Sequence, residues 1–186
     1  MLDDLSKHVL DIAENSLAAG AQHIVVTLQE RDSEGWVVLQ VEDDGCGMDP
    51  ETVTRVTDPF VTSRTTRRVG LGIPFLKQVA ELCDGTLHLI SARGKGTTLT
   101  ARFRADAVDC PPLGDLPATV VTLLAGSPDR AWTFRFLRGD ASFEVERNAL
   151  VEVLEDPRLF QTPAVAHWVR NYVEEGLQEL RGTSEA

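Results

Sequence analysis

From Asp43 to Met48 the chain reads Asp-Asp-Gly-Cys-Gly-Met, and the rest of the sequence is organised around this stretch. It follows the run from Trp36 to Val41, in which apolar residues alternate in the manner of a buried strand. Glycine allows a positive φ or a close approach of the backbone to another group. A carboxylate that ends a strand just before such a turn can seat a flat polar ligand. Glycine turns after strands are common, so the pattern depends on support from the rest of the sequence.

The composition is that of a globular protein with a substantial core. The chain has 186 residues, of which 42% are hydrophobic and 25% charged, enough for one domain or one domain with a small appendage. The formal net charge of −11 disfavours a nucleic-acid-binding protein, which would carry a basic face. No apolar run approaches the roughly 18 residues of a membrane span, and the first residues do not resemble a secretory signal.

The cysteines indicate a reducing environment. Cys46, Cys83 and Cys110 form neither a Cys-x-x-Cys pair nor a disulfide framework, so we expect a cytoplasmic protein. Cys46 lies inside the glycine turn, and we interpret it as a small buried filler.

The first part of the chain alternates helices and hairpins. Apolar residues at spacings of three and four predict a helix over residues 3–19, and a second helix follows at 74–83. A short helix is expected after Asp49, which has the character of an N-cap and is followed by proline. Alternating runs predict two hairpins, formed by residues 23–28 with 36–41 and by residues 86–91 with 97–103.

A proline-rich segment divides the chain. Residues 106–117 contain three prolines and a glycine and predict a linker between a domain at 1–105 and a small α+β region at 118–186. We expect the C-terminal region to contain helices at 117–125, 148–155 and 163–181, with a hairpin from 132–137 and 142–146 between the first two. Its role is not evident from the sequence.

Three further features accompany the glycine turn. Asp11 and Asn15 lie one helical turn apart and therefore on one face, where a carboxylate and an amide can hold a hydrated Mg²⁺ and polarise a hydroxyl group. An arginine- and threonine-rich segment at 58–72 lacks a clear period and ends in glycines before a helix, an arrangement suited to phosphate. The third of these features is Gly-Lys-Gly-Thr at 94–97, which begins the last strand of the first part.

In their order and spacing, these features resemble the ATP-binding domain shared by histidine kinases, DNA gyrase, Hsp90 and MutL, the GHKL superfamily. Residues 8–21 resemble its N box and residues 41–48 its first glycine box. Residues 58–60, Asp-Pro-Phe, resemble the F box that begins the ATP lid. Residues 69–77 resemble the second glycine box of histidine kinases, and residues 94–98 the final box.

The resemblance implies a role for each matching residue around the base and the metal ion. Asn15 would hold Mg²⁺ against the three phosphates of ATP. Asp44 would accept a hydrogen bond from the adenine amino group, and Gly45 and Gly47 would let the adenine pack closely. Thr97 would help to seat the adenine through a water molecule.

On the phosphate side, the resemblance implies that Gly70, Leu71 and Gly72 bind phosphate oxygens through backbone N–H groups. Lys77 either contacts a phosphate or is a solvated helix residue. Asp11 stands where ATP-hydrolysing members and related serine kinases carry Glu, so it is the candidate general base for water or a serine hydroxyl. Three arginines of the lid either meet the γ-phosphate or face solvent: Arg64, Arg67 and Arg68.

For the whole protein, the resemblance implies a two-layer α+β sandwich of the histidine-kinase-like (Bergerat) type, with a mixed, mostly antiparallel sheet and helices on one face. It also implies a monomeric signalling enzyme that binds Mg-ATP and transfers phosphate to a protein phosphoacceptor in trans, on His or on Ser/Thr. An ATPase-driven switch that acts on a regulatory partner and a nucleotide-stabilised binding module are the alternatives. Neither nucleic acid nor membrane is expected as a partner.

Overall fold

The computed structural model describes residues 4–31, 33–57 and 72–182. The predicted F box and lid, including Gly70, Leu71 and the three lid arginines, lie outside the described residues.

Helices and strands follow one another nearly as the sequence predicts. The helices are α1 (Leu5–Ala18), α2 (Pro50–Val56), α3 (Gly72–Leu82), α4 (Leu116–Gly126), α5 (Arg147–Leu154) and α6 (Pro163–Gly182), with a 3₁₀ turn at Pro157–Gln161. The strands are β1 (His23–Arg31), β2 (Trp36–Asp43), β3 (Thr86–Ala92), β4 (Gly96–Arg104), β5 (Ala131–Arg138) and β6 (Ala141–Glu146).

Local sequence explains where the helices that carry the site begin and end. The Asp4 side chain caps α1 by accepting a hydrogen bond from the backbone N–H of Lys7, and Gly20 adopts a φ of +77° just after the helix. Asp49 caps α2 in the same way through the N–H of Thr52. Apolar residues on one side of α1, among them Leu5, are buried against the sheet.

All six strands form one sheet in the order β3-β4-β2-β1-β5-β6. Every neighbouring pair is antiparallel except β1 and β5, which run parallel. Residues of one face, such as Leu39 and Phe134, are buried in a single core that also includes residues of α1, α3, α4 and α6. The mixed, mostly antiparallel sheet of an α+β sandwich is therefore confirmed.

The C-terminal part of the chain continues this sheet instead of forming a core of its own. Strand β5 pairs along the length of β1, and Trp132 and Phe134 join the common core. The predicted linker is tied to the start of α1, since the N–H groups of Leu5 and Ser6 donate to Pro112 O (2.9 Å) and Leu113 O (3.0 Å). The proline-rich segment thus packs against the first part of the chain.

Candidate functional site

A cavity of about 310 Å³ lies between α1, the end of β2, α2, α3 and the β3–β4 hairpin. Most of its wall is apolar, with a few polar side chains at the α1 and β2 side, which is the usual composition of a small-molecule site. Its lining residues are Ile12, Asn15, Ser16, Ala18, Ala19, Val41, Asp43, Cys46, Gly47, Met48, Thr52, Val56, Ile73, Leu89, Thr97 and Leu99.

Asp43 is the carboxylate of this cavity. It is the last residue of β2, and its side chain continues the core-facing series of that strand. One carboxylate oxygen accepts the hydroxyl of Ser16 at 2.8 Å, and the other accepts the backbone N–H of Gly45 at 2.9 Å. These two bonds fix the carboxylate between α1 and the glycine turn, with lone pairs left for a ligand.

The sequence predicts that Asp44 accepts a hydrogen bond from the adenine amino group. The structure corrects this prediction, because Asp44 lies outside the cavity. Its Oδ1 accepts the backbone N–H groups of Gln22 (2.7 Å) and His23 (2.9 Å), and its Oδ2 lies 2.6 Å from Nδ1 of His23. Desolvation raises the pKa of Asp44, but hydrogen bonds from the His23 backbone and ring and from Gln22 outweigh it and lower the pKa to about 2. Asp44 follows the end of β2, and its carboxylate is held against the start of β1, whereas Asp43 lines the cavity.

The glycines of the turn serve close backbone packing. Gly47 has a φ of +63°, and a Cβ atom there would lie 2.0 Å from the carbonyl oxygen of Ala92, the last residue of β3. A Cβ atom on Gly45 would lie 2.8 Å from the Cβ of Ala19 at the end of α1. The contacts that require glycine here are therefore made with protein atoms, whereas the sequence analysis assigned both glycines to adenine.

Serine and threonine hydroxyls join the glycine turn to the hairpin. Thr97 lies opposite Asp43 in the β2–β4 register, and its hydroxyl is 3.0 Å from that of Ser91. Ser91 Oγ also accepts the backbone N–H of Met48 at 2.9 Å. Thr97 thus lines the cavity, and Ser91, which was not predicted from the sequence, holds it in place.

Asn15 lines the cavity one residue before Ser16 on α1. Its side-chain nitrogen is buried and has no hydrogen-bond partner among the described residues. A buried polar atom without a partner is costly, so a ligand in the cavity would satisfy it.

Asp11 lies one turn before Asn15, outside the residues that line the cavity. It is exposed, and a Cβ atom on Gly72 would lie 3.1 Å from the Cβ of Asp11. The carboxylate is therefore beside the first turn of α3, where backbone N–H groups lack helical partners. Gly72 is buried there, at the start of α3 instead of just before it.

The structure also places Lys77 and Cys46. Lys77 is not among the residues that line the cavity; its ammonium donates to the carbonyl oxygen of Thr57 at 3.1 Å and lies 3.9 Å from Glu81. This lysine links the end of α2 to α3. Cys46 is exposed and borders the cavity, so it is not a buried filler.

One signal in the sequence could have separated the two aspartates. The core-facing positions of β2 are Val37, Leu39 and Val41, and the next position in this alternation is Asp43. No comparable local signal points to Ser16 or Ser91, because their partners lie 27 and 43 residues away in the chain.

Among the described residues, no helix has the length and apolar character that a membrane span requires. Within the same part of the chain, no group of three or more His, Cys, Asp or Glu side chains is arranged to hold a metal ion. A metal in this cavity would therefore depend on ligand oxygens as well as on protein oxygens.

Comparison with known proteins identifies the first part of the chain. The family described as histidine kinase-, DNA gyrase B-, and HSP90-like ATPase matches residues 2–107. The sensor histidine kinase ZraS of Escherichia coli K12 is 29% identical over 98 residues, which are 53% of this chain and 21% of that protein. The sensor-like histidine kinase SenX3 of Mycobacterium tuberculosis H37Rv is 32% identical over 100 residues, which are 51% of this chain and 24% of that protein. The chain thus matches about a quarter or less of each relative's length.

A solved structure extends the likeness in fold beyond residue 107. The Aquifex aeolicus MutL ATPase domain complexed with ADP superposes with a TM-score of 0.51 at 15% identity, covering 87% of this chain and 70% of that one. At this identity the likeness concerns the fold alone.

We predict that Gly47→Ala lowers the free energy of unfolding by about 3 kcal/mol or more, because a methyl group would collide with the carbonyl oxygen of Ala92. Gly94→Ala is the matched control: Gly94 also has a positive φ, of +71°, but a Cβ atom there meets nothing within 4 Å. Its cost should be about 1 kcal/mol, from the left-handed backbone alone. Urea unfolding measures both, and equal losses would contradict the packing role of Gly47.

Proposed function

Because the chain belongs to the family of histidine kinase-, DNA gyrase B- and HSP90-like ATPases, we propose that it binds Mg-ATP in this cavity and transfers the γ-phosphoryl group to a partner protein. The observation that carries the proposal is the Asp43 carboxylate, fixed at the cavity wall by Ser16 and Gly45. The histidine kinases that match the same part of the chain support a signalling reaction.

Asp43 would bind the adenine base of ATP. Its lone pairs accept the amino group of adenine, while guanine presents a carbonyl oxygen at that position and would face the carboxylate unfavourably. Thr97, opposite Asp43 in the sheet, offers a hydroxyl that can bind the base through water. The apolar walls, including Leu99 and Val41, suit the faces of a purine ring.

The residues present fit a Mg²⁺ ion bound together with the nucleotide. Asn15 lies at the cavity wall, where its amide oxygen is a ligand that Mg²⁺ accepts and its unsatisfied amide nitrogen would donate to a phosphate oxygen. Mg²⁺ commonly takes one or two protein oxygens and completes its shell with phosphates and water, which agrees with the lack of a larger ligand cluster in the described residues. When bound, the ion neutralises charge on the phosphates.

At the phosphate end, the first turn of α3 would bind phosphate oxygens through free N–H groups beginning at Gly72. Asp11 is exposed beside this turn and is our candidate for the group that accepts the proton of the attacking hydroxyl. Gly70 and Leu71, which lie outside the described residues, remain part of the proposal by resemblance, as do the lid arginines.

The Asp11 carboxylate also supports a second candidate function, the hydrolysis of ATP. If Asp11 takes the proton of a water molecule, the product is free phosphate, and ATP turnover would act as a conformational switch for a regulatory partner. The distinction between transfer and hydrolysis lies in the acceptor, so one assay separates them.

We predict that Asp43→Asn weakens ATP binding by about 30-fold or more, because an amide N–H₂ group opposes the adenine amino group and a charge-assisted hydrogen bond is lost. Asp44→Asn is the matched control, with the same atoms exchanged one residue away, at a carboxylate that accepts the N–H groups of Gln22 and His23 and does not line the cavity. It should change the affinity by about threefold or less. Isothermal titration calorimetry gives both constants, and circular dichroism verifies folding. A stronger effect of Asp44→Asn would contradict the site.

We predict that γ-labelled ATP yields labelled partner protein with the wild-type chain. Asp11→Ala should lower the transfer rate by about 100-fold while ATP binding persists, because a general base typically contributes such a factor. Asn15→Ala should abolish the Mg²⁺-dependent part of ATP binding. The products are separated into free phosphate, acid-labile phosphoprotein and acid-stable phosphoprotein.

Steady release of free phosphate without labelled protein would contradict phosphoryl transfer and support the ATPase switch. ATP binding without either product, together with partner binding that does not change with nucleotide, would show a nucleotide-stabilised module instead.

A further inference from the structure

The sheet has a second face, opposite to the helices. On β1, β2, β4 and β5 the side chains of this face alternate with core residues, and none of them is fully buried. The corresponding residues of β3 and β6 are exposed, including Ile90, whose exposed fraction is 73%. We call this surface the open face; its central residues are Val25, Thr27, Gln29, Trp36, Val38, Gln40, Glu42, Thr98, Thr100, Arg102, Thr133 and Arg135.

Opposite charges occupy the two ends of the open face. At one end, the guanidinium groups of Arg102 and Arg104 lie over the ring of Trp36, at 4.6 and 5.2 Å from its centroid. Arg104 is paired with Asp106, and Arg31, the register partner of Trp36, is paired with Glu34, so Arg102 carries the positive charge of this end that has no described ion-pair partner. Glu42 lies at the other end. Val38 of β2 is the register partner of Arg102, and Glu42 is four residues further along the same strand. Four strand residues span about 13 Å.

Two central charged side chains of this face lack an ion-pair partner among the described residues, although the charge of Glu42 also interacts with that of Arg135. Arg102 has no hydrogen bond or ion pair with any described residue, and its Nε is buried without a partner. Glu42 likewise has no hydrogen-bond or ion-pair partner in the described ranges, whereas Arg135 and Glu144 on the same face pair with each other. An arginine and a glutamate of opposite sign are thus left open on one surface of a protein with a net charge of −11.

We propose that the open face binds the open face of a second copy of this chain, with the strands of the two sheets antiparallel. A twofold axis that lies between the two sheets, perpendicular to the strands, exchanges the two ends of the open face. The arginine end of one copy then meets Glu42 of the other, and the same contact occurs twice. Two sheets packed face to face lie about 10 Å apart, a distance that Arg and Glu side chains can bridge together.

The area of the open face is close to the area that a dimer interface requires. Six strands spaced about 4.8 Å apart and about 26 Å long present roughly 700 Å², close to the roughly 800 Å² per partner of a stable interface. Trp36 and Arg102 on this face belong to residue types that are enriched at protein–protein interfaces. The dimer leaves the nucleotide cavity free, since that cavity lies on the helical side of the sheet, and the inference therefore does not depend on the proposed function.

Exchanging the charges of Glu42 and Arg102 tests whether these residues meet across the dimer interface. Sedimentation velocity over a concentration series gives the dimer dissociation constant for the wild type, Glu42→Arg, Arg102→Glu and the variant with both changes. Each single change places like charges together and should raise the constant about tenfold or more, and the double change should return it to within about threefold of the wild type. Glu152→Arg, an exposed α5 position with the same charge change as Glu42→Arg, should leave the constant unchanged.

Three results would overturn the proposal. The first is a wild-type chain that remains monomeric at every concentration. The second is equal behaviour of Glu42→Arg and Glu152→Arg. The third is a double variant whose loss is the sum of the single losses. Far-UV circular dichroism, measured for each variant, verifies that the variants are folded.

Discussion

The site depends on how one carboxylate is held where β2 ends. Asp43 accepts one hydrogen bond from the Ser16 hydroxyl on α1 and one from the Gly45 N–H in the turn. These bonds connect the helix that carries Asn15 to the turn that closes against the β3–β4 hairpin. The carboxylate therefore joins α1, β2 and the glycine turn at the cavity wall and keeps lone pairs free.

The glycine turn is shaped by its protein neighbours. Gly47 lets the turn touch the backbone of Ala92, and the N–H of Gly94 in the same hairpin donates to Cys46 O at 2.7 Å. Asp44 clamps the other side by accepting two backbone N–H groups at the start of β1. The two adjacent aspartates thus have separate tasks: Asp43 faces the cavity, and Asp44 ties the turn to β1.

Most of the secondary structure could be predicted from the sequence, because helical and strand periodicity are local properties. The alternation in β2 also contained the information that Asp43, and not Asp44, continues the core-facing series. The parallel pairing of β5 with β1 could not be predicted, because it joins segments more than 100 residues apart and leaves no local pattern. The hydroxyls of Ser16 and Ser91 were missed for the same reason, since the atoms they bind are distant in sequence.

We propose that Asp43 binds the adenine amino group of a nucleotide in the cavity, and a crystal structure of the chain with Mg²⁺ and a non-hydrolysable ATP analogue measures this contact. We expect the adenine amino nitrogen within about 3 Å of a carboxylate oxygen of Asp43, with the phosphates directed towards Asn15 and the first turn of α3. An adenine bound beside Asp44 and His23, or a nucleotide outside the cavity, would contradict it.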